Sequence, residues 1–212
     1  MSERDRPLRH RFHPGDEDSP VLLLLHGTGG GPDDLVGLAR ELSPTAPLIA
    51  PAGPVSEHGA ARWFRRLAEG VFDDADVVAR AHQLADFVDD ARHRHGLADR
   101  RLIALGFSNG ANIAAAVVLL RPASLREAVL FSAMMPLPDA PEESLTGSRV
   151  LLSNGKRDPM APLPAADRLV AALAENSAQV TTHRHPGGHE ITVTGLQAAR
   201  DWLGDGDWPD RD

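Results

Sequence analysis

The sequence predicts a three-layer α/β fold built on a mainly parallel sheet, and three observations carry that reading. Apolar runs of strand length alternate with stretches of helical periodicity along almost all of the 212 residues. The run at residues 21–25 is apolar without interruption, the pattern of a strand buried on both faces. Finally, Gly106-Phe107-Ser108-Asn109-Gly110 links an apolar run to a helical one through a sharp turn around a serine.

Taken in order, residues 8–13 are expected to form an edge strand, and residues 21–25 a central one. A helix is expected over 33–42, with Pro32 and the acidic pair Asp33-Asp34 at its start. A short strand at 48–50 ends at Pro51, and residues 51–74, rich in Gly and Pro, are expected to be loop. A long helix follows at 75–95, with Val77, Ala81, Leu84 and Val88 on one face and Gly96 as its stop. Strand 101–105, the serine turn and helix 109–120 come next. Beyond them the pattern gives strands at 128–131, 150–153 and 180–183, with helices at 163–176 and 191–203.

Composition bounds the class. Hydrophobic residues make up 42% and charged residues 25%, which suits one globular domain spanning 1–212, with tails expected at 1–7 and 204–212. The net charge of −8 argues against nucleic acid as a partner, because phosphate binding needs a basic face. The absence of cysteine removes disulfides, thiolate metal sites and a cysteine nucleophile. Residues 1–11 lack the apolar core of a signal peptide, and no stretch is long enough to span a bilayer. A cytoplasmic location is the expectation, and a homodimer is compatible with a protein of this size.

A serine hydroxyl is a poor nucleophile unless a base takes its proton and a third group orients the base. Around a serine elbow the partners follow in the order Ser, Asp or Glu, His. Asp158 follows the strand at 150–153, and His189 follows the strand at 180–183, both in loops carrying Gly and Pro. Asp139 and Asp167 are rival acids, the latter inside a predicted helix. The glycine-rich stretch after His26 suits an oxyanion hole, with backbone N–H groups of Thr28 and of Asn109 as the expected donors. His183, His185 and His189 superficially resemble a metal cluster, but no matching carboxylate set accompanies them, so no metal and no cofactor are expected. Ser153 stands before Asn154-Gly155 and mimics the elbow, but without its leading glycine.

Five blocks, LLHGTGGGPDDLVGLARELS, APAGPVSEHGAARWFRRLAEGVFD, GFSNGANIAAA, NGKRDPMAP and HPGGHEIT, run in this order from about residue 21 to residue 200. On these the chain resembles the phospholipase/carboxylesterase family of α/β hydrolases, small serine esterases related to acyl-protein thioesterases. The resemblance implies the α/β-hydrolase fold and a triad on Ser108, Asp158 and His189. It also implies that the loop holding Trp63 and Phe64 borders the active site. The short stretch before the strand at 150 leaves no room for a sizeable lid or cap domain, so an open, shallow site is expected. Trp63, Phe64, Phe72, Met134, Met135 and Met160 are candidates to line an acyl or aryl pocket. The expected substrate is a small to medium carboxylic ester. A thioester or lysophospholipid would serve the same triad, and a non-catalytic binding protein is the alternative from another class.

Overall fold

A computed structural model describes residues 8–68, 70–141 and 143–204. The elements run β1 (His10–His13), β2 (Val21–Leu25), α1 (Val36–Leu42), β3 (Leu48–Pro51), β4 (Val55–Glu57), β5 (Ala60–Arg62), β6 (Arg66–Ala68) and β7 (Val71–Phe72). They continue with α2 (Asp74–Arg94), β8 (Leu102–Phe107), α3 (Asn109–Leu120), β9 (Glu127–Phe131), β10 (Arg149–Gly155), α4 (Leu163–Glu175), β11 (Gln179–His185) and α5 (Val193–Gly204). The central sheet has seven strands in the order β1-β3-β2-β8-β9-β10-β11. Only β1 is antiparallel to its neighbour; every other pairing in this sheet is parallel.

Side chains alternate across the central strands and thereby build two cores. Val21, Leu23 and Leu25 face a cluster shared with α2, α3 and α4, whereas Leu22 and Leu24 face one shared with α1 and α5. Helices therefore cover both faces, giving the three layers of the α/β-hydrolase fold. Helix α3 is buried on nearly every side, which explains why its sequence is apolar all round rather than striped. Helix α2 starts where the Asp73 carboxylate accepts the N–H of Asp76 at 3.1 Å, and it stops before Gly96, whose φ is +69°.

Two differences from the sequence expectation bear on the site. The helix expected from residue 33 begins at Val36, because residues 31–36 close as turns, Asp34 N–H to Gly31 O and Val36 N–H to Asp33 O, both at 3.2 Å. The stretch 51–74, expected to be loop, folds instead into two hairpins, β4–β5 and β6–β7. The first turns at His58 and Gly59, both with positive φ, the geometry of a two-residue hairpin loop. Of the expected terminal tails, Gly204 ends α5, and residues 1–7 and 205–212 lie outside the described residues. Among the described residues no helix is long and apolar enough to cross a membrane.

Candidate active site

Ser108 stands between β8 and α3 with φ +54° and ψ −119°, a backbone conformation rare for a residue with a side chain. The surrounding packing holds it there. Its N–H donates to Phe131 O on the next strand at 2.9 Å, and its carbonyl accepts the N–H of Asn112 at 2.9 Å. The turn brings α3 against β2 so closely that a Cβ on Gly110 would lie 1.9 Å from Leu25 O. Only glycine fits there.

From this position the Ser108 hydroxyl reaches His189 Nε2 at 2.8 Å. The other ring nitrogen, Nδ1, meets Asp158 Oδ2 at 2.7 Å. A carboxylate accepts, so Nδ1 carries the proton and Nε2 presents its lone pair to the serine O–H. Asp158 is fixed in turn: its Oδ1 accepts the N–H groups of Met160 at 2.8 Å and Ala161 at 2.9 Å, and its side chain is fully buried. The loops carrying Asp158 and His189 pack through Gly155, where a Cβ would lie 2.2 Å from Gly188 O.

The rival groups fall elsewhere. Asp139 is exposed, Asp167 pairs with Arg184 at 2.6 Å on the surface, and Ser153 bonds to His183 Nδ1 at 3.0 Å. His183 and His185 stack at 6.0 Å, and burial, followed by the nearby His185, holds the His183 imidazole below its ordinary value.

Thr28 and Asn109 line the same cleft as Ser108. Neither backbone N–H has a protein acceptor among the described residues, and that of Asn109 belongs to the first turn of α3, where amides point outward unspent. The stretch around Thr28 is held from behind. Gly29 N–H donates to Ala61 O at 2.8 Å, and the buried Arg62 donates to Thr28 Oγ1 at 3.1 Å and to Phe64 O at 3.3 Å. His26 bonds Gly27 O through Nδ1 at 2.7 Å and accepts the Gly53 N–H on Nε2 at 3.0 Å. Burial lowers the His26 imidazole below its ordinary value, against the Gly27 hydrogen bond and the Asp34 charge, which raise it.

Of the expected pocket residues, Met134, Met160 and Phe72 line the cleft. Trp63, Phe64 and Met135 do not. Trp63 and Phe64 are 1% and 0% exposed. Trp63 is a brace behind the site: its indole N–H donates to His26 O at 2.9 Å, and its backbone N–H donates to Asn109 Oδ1 at 2.7 Å. A wall of the cleft comes instead from hairpin β6–β7, through Arg66, Gly70 and Phe72. About 30 Å³ of space lies beside Ser108 in this cleft.

Two residues not anticipated from sequence shape the far wall. Asn112 Oδ1 accepts the Met134 N–H at 2.9 Å, and Asn154 Nδ2 donates to Ala133 O at 2.8 Å. The signal was available in their positions, one directly after the elbow on α3 and the other at the end of β10, where an amide side chain is buried only if it has partners.

Residues 12–205 match the model of the phospholipase/carboxylesterase family, and the chain belongs to that family. MhqD of Bacillus subtilis (strain 168), a protein named as a hydrolase, is 38% identical over 92% of this chain and 97% of its own. A carboxylesterase of Bacillus cereus superposes with a TM-score of 0.90 at 36% identity, covering 95% of this chain and 96% of its own. A carboxylesterase of Mesorhizobium loti gives 0.88 at 34% identity, with coverage of 95% and 96%.

Proposed function

We propose that the protein is a serine carboxylesterase acting on small to medium carboxylic esters, aryl esters among them, through an acyl-enzyme on Ser108. The observation that carries the reading is the unbroken hydrogen-bond chain from Ser108 Oγ through His189 to the buried Asp158 carboxylate, at 2.8 and 2.7 Å. His189 Nε2 takes the serine proton as Oγ attacks the ester carbonyl. The N–H groups of Thr28 and Asn109 hold the oxyanion, and Asp158 keeps the imidazole in the required tautomer and stabilises its charged form. His189 then returns the proton to the departing alcohol, and water releases the acid by the same steps in reverse order. The two similar carboxylesterases support the choice of ester.

The test is intact-mass spectrometry after treatment with a fluorophosphonate, on wild type and Ser108→Ala. The expected result is one adduct on wild type, none on the variant, and a loss of about 10⁴-fold or more in kcat for 4-nitrophenyl butyrate. An unmodified wild type, or a variant that keeps its esterase activity, overturns the proposal.

A further inference from the structure

Beside Ser108 the cleft carries hydrogen-bonding capacity that the triad and the oxyanion donors do not use. Asn109 and Asn112, 2% and 6% exposed, both line it. In each amide the oxygen is committed to a backbone N–H, that of Trp63 at 2.7 Å and that of Met134 at 2.9 Å. A backbone N–H needs an acceptor, so neither amide can be turned over, and Nδ2 is the atom left in each. Asn109 Nδ2 is buried without a partner, and Asn112 Nδ2 has no acceptor among the described residues.

Ser132 adds a third group. It lines the cleft, is 1% exposed, and its hydroxyl has no partner among the described residues. Its backbone is held at φ +53° by its neighbours, with its N–H on Ser153 O at 2.8 Å and the two following residues clamped by Asn154 and Asn112. Strain of this kind persists where the surroundings over-determine it, and buried polar groups without partners are rare. Here both occur in one residue next to a candidate nucleophile.

The charge of the cleft narrows the chemistry. Arg62 and Arg66 line it, both paired with Glu57, at 3.3 and 2.9 Å, while no carboxylate among the described residues lines it.

We propose that Asn112, Ser132 and Asn109 form an acceptor-binding subsite for a carboxylate carried by the acyl group, so that the preferred substrates are monoesters of short dicarboxylic acids. The subsite rests on the esterase reading above. Asn112 Nδ2 and the Ser132 hydroxyl donate to the distal carboxylate while the scissile carbonyl lies against Ser108. An acyl chain ending in a methyl or isopropyl group leaves these donors buried and unpaired, which is the source of discrimination.

The experiment compares kcat/KM for monomethyl succinate and for methyl 4-methylpentanoate, in which an isopropyl group replaces the carboxylate, on wild type, Asn112→Asp and Ser132→Ala. Asn112→Asp keeps an oxygen for the Met134 N–H but turns the donor into a second acceptor; thermal melting checks that it folds. Wild type is expected to prefer monomethyl succinate about tenfold or more. Ser132→Ala is expected to reduce the ratio, and Asn112→Asp to bring it to one or below. A wild type that cleaves 4-nitrophenyl butyrate without preferring monomethyl succinate, or a preference unchanged in both variants, overturns the subsite alone. A wild type that cleaves none of the three esters overturns the esterase reading and the subsite with it.

Discussion

The ends of β8 and β9 are near copies of one another. Phe107 and Phe131 are in register, and each is followed by a serine with positive φ, +54° at Ser108 and +53° at Ser132. Each serine N–H donates to a carbonyl on the next strand, Phe131 O at 2.9 Å and Ser153 O at 2.8 Å. The chain then diverges. After Ser108 it enters α3 at once, and its hydroxyl meets His189. After Ser132 it enters a turn clamped by two amides, and its hydroxyl meets no protein group among the described residues. A strained serine at a strand end does not by itself have a histidine within hydrogen-bond reach. His189, the Asp158 carboxylate behind it and the N-terminus of α3 separate the two.

The most severe way to break this contrast is to disable the base without moving it. In Asp158→Asn the acceptor for His189 Nδ1–H is weakened and the imidazole can adopt the wrong tautomer. Ser108 then keeps its backbone geometry but, like Ser132, lacks a correctly oriented proton acceptor. The expected loss is about 10⁴-fold in kcat, with fluorophosphonate labelling slowed in parallel. Activity within tenfold of wild type would mean that the 2.7 Å contact between His189 and Asp158 is not required for the reaction.

A second test addresses the helix. Two residues after Ser108 stands Gly110, whereas two residues after Ser132 stands Met134. A methyl on Gly110 would meet Leu25 O at 1.9 Å and His26 O at 2.5 Å, backbone atoms that cannot turn aside. Gly110→Ala should push α3 away from β2 and destabilise the fold by about 3 kcal/mol, read as a shifted urea midpoint. An unchanged midpoint would show that α3 has slack here and that the close approach is not required.

How far the sequence disclosed these regions depends on which interactions are local. The strands and helices of the main sheet follow from apolar runs and periodicity, with ends shifted by a few residues. The chain Ser108, Asp158, His189 follows from motif order and from loops at strand ends. The hairpins over 51–74 are not legible in the sequence because strands of two or three residues carry no periodicity, although His58-Gly59 is a usable turn signal. In the sequence Trp63 resembles a pocket aromatic because it stands in a loop. Its burial depends on partners 37 and 46 residues away, His26 and Asn109, which no local pattern reveals. The role of Asn112 is hidden for the same reason: a helical Asn looks solvent-facing until Met134 is brought above it.

The smallest expected effect distinguishes the two strand ends by what holds them. The elbow leans on the loop after β2, where His26 Nε2 must stay unprotonated to accept the Gly53 N–H. The turn after Ser132 is tied to α3 by the Asn112–Met134 bond, which contains no titratable group. Burial holds His26 below its ordinary value of 6.5, and burial does the same for His95 and His183. An unfolded chain takes up these protons near pH 6.5, while the folded chain resists until lower pH. The unfolded state then binds more protons, so stability that is complete above about pH 6.5 is lost as the pH falls through and below that value. The melting temperature should fall between pH 7.5 and pH 5. Over the same interval hydrogen-exchange protection should decline at the Gly53 N–H before it declines at the Met134 N–H. Protection lost at both sites together would mean that acid opens the two strand ends as one unit, and that His26 is not the group through which it acts.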